Sequence, residues 1–412
     1  MNMRKRVSDI SSGVRIVSYS TAIRWIGWGF VEALIPIFIY GFAKDYLSSA
    51  LVYSAYTLFF LLTLPIAGII ADKISCRFLI IGALLLYLFV GFGYFLAATT
   101  GLILFIVLAR MINGIAWAMD SVGRNTYIRR DSNHKYISGV FGYFSAVSNF
   151  GWLIALLSSI IIIKFVDIRW LFLTITLTAI ISLFVVLFKL KPEKNLLKRA
   201  KIFGLNDLVT EIFSKKTFYN IYNEVISSNT RIRIMAILVF FIGLLEIVTS
   251  FFIPIYVYNQ NGSLVQVILI TAALSVPSLF GHILGKMADK NRIGTILLGL
   301  TLIIPLLIII PKLEFIGQLI IAFCIAIILE LIDYSREGII TQIVKSTHYG
   351  RLGGLFSIIE HIGTLISPLL VGISVLGLGE NSIFILISIL SIMMLIIMFH
   401  TRKLFQTNYK MG

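Results

Sequence analysis

The sequence predicts an all-α polytopic membrane protein, with 12 transmembrane helices in two pseudo-symmetric six-helix bundles. Hydrophobic residues fill 58% of the 412 positions and charged residues only 13%, whereas soluble proteins average about 45–50% and 25%. Apolar runs of about 20 residues recur, and a helix of that length crosses the hydrocarbon core of a bilayer. The two halves also repeat a set of motifs. This composition excludes a cytosolic enzyme, a nucleic-acid-binding domain, a disordered protein and a secreted disulfide scaffold.

Twelve apolar stretches are interpreted as transmembrane helices. Runs such as Ile160–Ile163 do not alternate between apolar and polar residues, so barrel strands are not expected. The first stretch is too long for a cleavable signal peptide and contains Arg24 and Glu32. The stretches are 22–43, 47–70, 78–98, 101–123, 137–163, 170–188, 234–257, 264–285, 293–311, 315–341, 352–376 and 382–400.

Lysine and arginine residues orient these helices. The segments on one side, which include both chain ends, carry 28 basic residues, and those on the other side carry four. Because cytoplasmic segments are enriched in these residues, we expect a multi-pass protein of the plasma membrane with both termini in the cytoplasm. The asymmetry accounts for most of the net charge of +16 without a nucleic-acid partner.

One long polar stretch divides the chain. We predict an N-terminal six-helix bundle at 1–188, a cytoplasmic linker at 189–233, and a C-terminal six-helix bundle with a short tail at 234–412. Within the linker, Leu205–Val225 has the pattern of an amphipathic helix that lies on the inner membrane surface. The linker is interpreted as a basic tether on anionic lipid, with a regulatory role as the alternative.

Four sequence matches recur in the same order in both halves. Such an ordered repeat predicts a duplicated six-helix unit. The matches are Ile35–Tyr40 with Ile253–Tyr258, Gly68–Lys73 with Gly285–Lys290, Arg124 with Arg336, and Phe144–Ile154 with Phe356–Ile366.

The loop after the second span carries charges that recur after the eighth. Its glycine lets two helix ends approach closely, because it has no Cβ. Its aspartate can accept hydrogen bonds from helix amides and pair with the basic residues. We therefore predict a latch between the bundles on the cytoplasmic face, although the basic residues alone would also fix topology. The latch residues are Gly68, Asp72, Lys73 and Arg77, and Gly285, Asp289, Lys290 and Arg292.

With this loop, the chain resembles a transporter of the major facilitator superfamily. The family pattern is Gly-x-x-x-Asp-[Arg/Lys]-x-Gly-[Arg/Lys]-[Arg/Lys], from which the first copy departs at Ser75 and Cys76. Arg110, Asn113 and Gly114 resemble the family's span-four motif, whose arginine is linked to proton or substrate handling. The resemblance implies two six-helix bundles, a cytoplasmic linker and secondary transport. The Gly-Pro signature of the family's drug antiporters is missing from span five.

Ionisable residues inside the spans are candidates for function, because a charge in the bilayer core costs several kcal/mol unless it is paired or hydrated. The two arginines near the midplane would hold an anionic group by bidentate hydrogen bonds. The second half supplies two glutamates and a histidine that would carry a coupling proton. Simple pairing across the interface is the alternative. The substrate or proton-coupling candidates are Arg24, Glu32, Arg110, Asn113, Glu246, Glu360 and His361.

Two further charge pairs fall toward the predicted cytoplasmic ends. Asp120 and Arg124 are four residues apart in span four, and Asp333 and Arg336 are three apart in span ten. Residues at these spacings are neighbours on a helix. We expect gating or structural ion pairs there, with Gly114 as a further conformational position.

The predicted function is secondary active transport of a small solute by alternating access, coupled to protons, with a small organic anion as the favoured substrate. Efflux of amphipathic or drug-like compounds by proton antiport is one alternative, and a non-transporting membrane sensor is another. The sequence has no P-loop, and no metal or nucleophile motif of an enzyme. We expect no catalytic residue, cofactor or metal. We expect a monomer whose partners are the solute, protons and membrane lipid.

Overall fold

The computed structural model describes residues 10–73, 75–131, 137–191, 230–261, 263–343 and 349–406. Within these ranges the chain is almost entirely helical and contains no strand. Among the described residues, eleven helices are long and apolar enough to cross a membrane, or twelve if one bent pair counts as a span. The predicted all-α polytopic class is confirmed. Most of the predicted linker, with its amphipathic helix, lies outside the described residues.

The described residues of the first half form six spans. A 3₁₀ turn at Glu32–Leu34 separates α1 from α2, and these two helices together form the first span. The helices are α1 (Ser12–Gly29), α2 (Ile35–Ala43), α3 (Tyr46–Lys73), α4 (Cys76–Thr100), α5 (Ile103–Asp131), α6 (Ile137–Ile162) and α7 (Ile168–Lys189).

The second half repeats this pattern. A π-helical segment at Val248–Phe252 joins α8 to α9, and these form the seventh span. The helices are α8 (Thr230–Ile247), α9 (Ile253–Asn261), α10 (Leu264–Ser275), α11 (Gly281–Lys290), α12 (Arg292–Ile309), α13 (Phe315–Ile343), α14 (Tyr349–Leu378) and α15 (Ser382–Gln406).

The eighth span is not the single straight helix expected for 264–285. A 3₁₀ turn at Val276–Phe280 separates α10 from α11, and a bend of 67° lies between Leu264–Phe280 and Ile283–Lys290. Pro277 lies in this turn. Because proline lacks an N–H and clashes with the preceding turn of an α-helix, the helix ends there.

The helices group into two compact units. One comprises Met1–Ile35 and Ala55–Thr217, and the other comprises Pro36–Ser54 and Phe218–Gly412. The second unit therefore includes α2 and the first turns of α3, although both precede it in the chain.

Both units use the same helix pairs. In the first unit, span one packs against spans five and six, and span three packs against spans four and six. In the second unit, span seven packs against eleven and twelve, and span nine packs against ten and twelve. Equivalent pairs in the two halves are what a duplicated six-helix unit requires.

A glycine repeated in the two halves makes the same contact in each. A Cβ on Gly151 in α6 would lie 3.0 Å from the carbonyl oxygen of Ala22 in α1. A Cβ on Gly363 in α14 would meet the carbonyl oxygen of Phe240 in α8. Small residues that let helix backbones touch are typical of membrane helix interfaces. The sequence repeat therefore corresponds to a helix crossing that is present in both halves.

A proline places a helix break in the first span and the seventh. Helix α2 begins at Ile35-Pro36 and helix α9 begins at Ile253-Pro254. Neither proline can donate to the carbonyl four residues earlier, so the preceding turn is 3₁₀ in one half and π-helical in the other.

Replacing Gly363 by alanine should destabilise the second unit, because the new Cβ meets backbone that cannot move cheaply. Overpacking of this kind costs about 1–3 kcal/mol. Gly41→Ala is the matched control, since a Cβ at Gly41 meets nothing within 4 Å. Thermal unfolding in detergent should show a lower midpoint for Gly363→Ala and an equal or higher midpoint for Gly41→Ala. Equal midpoints for the two variants would contradict the close crossing.

Candidate functional site

A buried triad of charges joins α1 to α5 in the first unit. Arg24 Nη2 lies 2.9 Å from Asp120 Oδ2, and Arg124 Nε donates to Asp120 Oδ1. The side chains of all three residues are at most 2% exposed. The expected Asp120–Arg124 ion pair is therefore present, and Asp120 also holds Arg24. This second contact joins a predicted substrate or proton-coupling candidate to a predicted gating residue.

Local helix geometry positions Arg124. Asp120 lies one helical turn before it in α5, so the two side chains share a face. The guanidinium also donates to three groups on α1, the Val17 carbonyl at 3.1 Å, Ser20 Oγ at 2.9 Å and Thr21 Oγ1. Both hydroxyls donate back to the Val17 carbonyl, which leaves their lone pairs for Arg124. The charge of Arg124 is thus stabilised by the Asp120 carboxylate and by three neutral oxygens of α1.

Three aromatic rings surround the Arg24 guanidinium. Its Cζ lies 4.9 Å from the ring centroid of Tyr87, 5.2 Å from that of Trp117 and 5.7 Å from that of Trp25. Cation–π attraction is strongest away from water, so the rings stabilise the buried charge. The sequence interpretation missed Tyr87, whose one signal is a hydroxyl within a strongly apolar span.

Hydrogen-bond donors outnumber acceptors around Arg24. Arg24 Nε, Trp25 Nε1, Trp28 Nε1 and Tyr87 OH are buried and find no partner among the described residues. Each unsatisfied buried donor costs about 1–3 kcal/mol. Two arginines and one aspartate also leave a formal charge of +1. The arrangement is suited to an anionic group with several acceptor oxygens.

The other candidates of the first unit lie on α5 and at the break in span one. Arg110 and Asn113 are buried, and Arg110 Cζ lies 4.7 Å from the ring centroid of Tyr56 in α3. Gly114 lets α5 touch α3, because a Cβ there would lie 2.9 Å from the backbone nitrogen of Phe60. The paired-arginine anion site predicted for Arg24 and Arg110 stays a prediction.

Glu32 sits in the 3₁₀ turn between α1 and α2. Trp152 Nε1 in α6 donates to its Oε2 at 2.5 Å. The break in span one therefore carries a carboxylate whose orientation is set by a neighbouring span.

A second charged cluster joins α13 to α14 in the second unit. Arg336 Nη1 lies 2.7 Å from Glu360 Oε1, and Arg336 Nη2 lies 2.7 Å from Asp333 Oδ1 and 2.9 Å from Glu337 Oε1. Three carboxylates around one guanidinium give a formal charge of −2. The expected Asp333–Arg336 pair is present. The contact with Glu360 joins this pair to a predicted substrate or proton-coupling candidate.

The remaining second-unit candidates are His361 and Glu246. His361 Nδ1 lies 2.8 Å from the Ser357 carbonyl oxygen, which fixes the ring against its own helix. Glu246 lies one residue before the end of α8, directly ahead of the π-helical segment, and its side chain is exposed. Their proton-carrying role stays a prediction.

The loop arginines tie each loop to a neighbouring helix of its own unit. Arg77 Nη2 donates to the Leu187 carbonyl at 2.7 Å. Arg292 binds Asp289 Oδ1 through Nη2 at 2.5 Å and the Gly338 carbonyl through Nη1 at 3.0 Å. Lys290 is exposed, and the side chains of Asp72 and Lys73 lie outside the described part of the chain. The latch between the bundles stays a prediction.

Among the described residues, no close helix approach is seen at Gly68 or Gly285. A Cβ at either position meets nothing within 4 Å among the described atoms. The glycines that do touch a neighbouring backbone lie within the spans, where helices cross, whereas these two lie near helix ends.

A family model described as Major Facilitator Superfamily matches residues 17–333. In a comparison with curated protein sequences, none matches at a significant level. The predicted resemblance to this family is confirmed.

Several solved structures share the fold. The crystal structure of the nucleoside transporter NupG superposes with a TM-score of 0.71 at 15% identity, covering 95% of this chain and 99% of that one. The D-xylose-proton symporter gives 0.71 at 14% identity, with 94% and 96% coverage. The human organic anion transporter MFSD10 (TETRAN) gives 0.64 at 15% identity, with 94% and 99% coverage. At these identities the similarity shows the fold alone.

Asp120→Asn should destabilise the first unit strongly, because it leaves two arginines buried without a carboxylate. Breaking a buried ion pair costs about 3–5 kcal/mol. The control is Asp289→Asn, whose carboxylate is 63% exposed and whose loss should cost under about 1 kcal/mol. Thermal unfolding in detergent measures both. Adding Arg24→Gln to Asp120→Asn should recover part of the loss, and strictly additive effects would contradict the pairing.

Proposed function

The chain belongs to the major facilitator superfamily of membrane transporters, and from this premise we propose that it carries a small organic anion together with protons. In this proposal it is a secondary active transporter that works by alternating access. It needs no covalent chemistry and no cofactor.

The buried charge around Arg24 supports an anionic substrate more than any other observation does. The triad of Arg24, Asp120 and Arg124 has a formal charge of +1 and is shielded from water. An isolated buried charge is costly unless it is paired. A carboxylate or phosphate group would neutralise it and accept hydrogen bonds from the donors of Trp25 and Tyr87. Arg110, on the same helix as Asp120, is the second guanidinium of the proposed site.

The Arg336 cluster supports coupling to protons. Its three carboxylates exceed the one guanidinium by two charges. Like charges at close range resist simultaneous ionisation, so the cluster is suited to take up a proton and release it when the local field changes. Glu360 is the favoured carrier, because it is less exposed than Asp333 and Glu337.

Efflux of amphipathic compounds is the second candidate. Trp25 and Trp117 are only partly buried, with ring centroids 5.8 Å apart, and such rings also suit an aromatic or apolar solute. One structural neighbour is described as an organic anion transporter and another as a proton symporter. Both descriptions agree with the favoured proposal, although these neighbours share only the fold with this chain.

The charge asymmetry of the loops supports the proposed location. We place the protein in the plasma membrane as a monomer, with both termini in the cytoplasm and its basic segments on anionic lipid. The variant Lys44→Cys tests this orientation, because Lys44 is exposed between α2 and α3. A membrane-impermeant thiol reagent should label it in intact cells.

Purified protein in proteoliposomes with an imposed pH gradient tests the function. The panel should contain monocarboxylates, dicarboxylates and organic phosphates, with cationic dyes as the efflux arm. We expect an inward proton gradient to drive the uptake of at least one anion. Transport of dyes alone would replace the proposal by the efflux candidate, and binding without transport would favour a sensor.

Glu360→Gln should separate substrate movement from proton coupling. The variant keeps the shape of the side chain but holds no proton, so anion exchange should persist while uphill uptake falls at least about tenfold. Glu246→Gln tests the second carrier, and Glu314→Gln in an exposed loop is the control. The measurement is uptake against pH, and a wild-type pH profile in both Glu360→Gln and Glu246→Gln would contradict the coupling proposal.

A further inference from the structure

We propose that Tyr46, Asn259 and Glu380 form a clasp that holds one end of the second unit closed and must open in each transport cycle. The proposal rests on the transporter function, but on neither the substrate nor the coupling ion. The loops at this end are those that the basic-residue count predicts to face outward.

The clasp converges on one carboxylate oxygen. Tyr46 OH donates to Glu380 Oε1 at 2.9 Å, and Asn259 Nδ2 donates to the same oxygen at 2.8 Å. Asn259 Nδ2 also lies 3.0 Å from Tyr46 OH and 3.4 Å from Tyr40 OH. Glu380 belongs to the turn between α14 and α15, and Asn259 to α9, whereas both tyrosines belong to the first half of the chain. A single acceptor thus joins segments from both halves of the duplicated sequence.

The first-half partner is a compact hairpin. Helices α2 and α3 are joined by Lys44 and Asp45, and Lys44 adopts a left-handed conformation with φ of 64°. Asp45 caps α3, because its Oδ1 accepts the Ser48 amide hydrogen at 2.7 Å. Hydrogen bonds from Ser48 lower the pKa of Asp45. The carboxylate therefore stays charged at pH values below the ordinary pKa of an aspartate. The rings of Tyr40 and Tyr46 lie 5.1 Å apart across the turn.

Close packing continues below the polar contacts. A Cβ on Gly372 of α14 would lie 2.8 Å from the Cα of Leu47, so the two backbones touch. Tyr53 packs on Phe251 with ring centroids 4.7 Å apart. Ser54 Oγ donates to the Leu365 carbonyl at 3.3 Å. The contact therefore extends over more than two turns of α3.

The hairpin is attached to the rest of the first half through a break. The boundary between the two compact units falls between Ile35 and Pro36, where α1 has ended and α2 begins. A few element-terminal residues that absorb backbone rotation are the usual form of a hinge. Hydrogen bonds that can exchange with water at a loop are suited to repeated opening, since water replaces the lost partners.

Neighbouring residues supply matched controls. Gln260 Nε2 donates to Tyr256 OH at 2.6 Å, and Tyr256 OH lies 3.3 Å from Asn381 Oδ1. These contacts join only second-half segments, although Gln260 and Asn381 each follow a clasp residue directly. A general loss of stability at this end would affect clasp variants and variants of Gln260 and Asn381 alike. Opening of the clasp would affect only the clasp variants.

The test measures access to a buried cysteine introduced as Ser54→Cys, with Cys76→Ser and Cys324→Ser as background. Ser54 is 6% exposed and lies beneath the clasp. A membrane-impermeant maleimide should label it about fivefold faster in Asn259→Ala and in Glu380→Ala. Gln260→Ala and Asn381→Ala should stay within about twofold of the parent. Glu380→Gln, which keeps an acceptor oxygen, should lie between the two groups.

A packing variant tests the clasp without removing a hydrogen bond. Gly372→Val should speed labelling by wedging α14 from Leu47, whereas Gly377→Val should not, because a Cβ at Gly377 meets nothing within 4 Å. Unchanged labelling in Asn259→Ala, Glu380→Ala and Gly372→Val, with all three folded by gel filtration, overturns the proposal. No substrate is needed, so faster labelling in a chain that transports nothing would overturn the transport function and leave the clasp standing.

Discussion

An ionised side chain inside a membrane protein must find a counter-charge or water, and this constraint organises both units of the structure. In the first unit, one aspartate holds two arginines, and hydroxyls and aromatic rings supply the remaining stabilisation. In the second unit, one arginine holds three carboxylates. Each cluster joins two helices through ion pairs and leaves an excess of one sign in its unit.

The two halves share their helix packing but differ in their charge balance. The same span pairs pack in both units, and Gly151 and Gly363 make equivalent contacts. Arg124 and Arg336 occupy equivalent positions in the repeat, yet one sits in a net positive cluster and the other in a net negative one. Helix crossings depend on small residues at a few positions, so they survive duplication easily. The charge balance changes with a single substitution.

The sequence was sufficient to predict the all-α polytopic class, the repeat and the ion pairs within one helix, because hydropathy and helical spacing act locally. It was insufficient for contacts between helices. The pairing of Arg24 with Asp120 depends on side-chain reach and on how α1 lies against α5, and the spacing of residues along one helix contains neither. Tyr87 carries no pattern that distinguishes it from other tyrosines in apolar spans. The end of α10 at Pro277 was also not predicted, because the effect of a proline on a helix depends on whether neighbouring spans hold the helix straight.

The net positive charge of the Arg24 cluster has a consequence for energetics under a membrane voltage. Moving one elementary charge through 100 mV changes the free energy by about 2.3 kcal/mol. On the proposed function, a bound monovalent anion makes that cluster electrically neutral, whereas the unloaded cluster keeps its charge. The return of the empty carrier, rather than the passage of the anion, would then be the electrogenic half of the cycle for this unit.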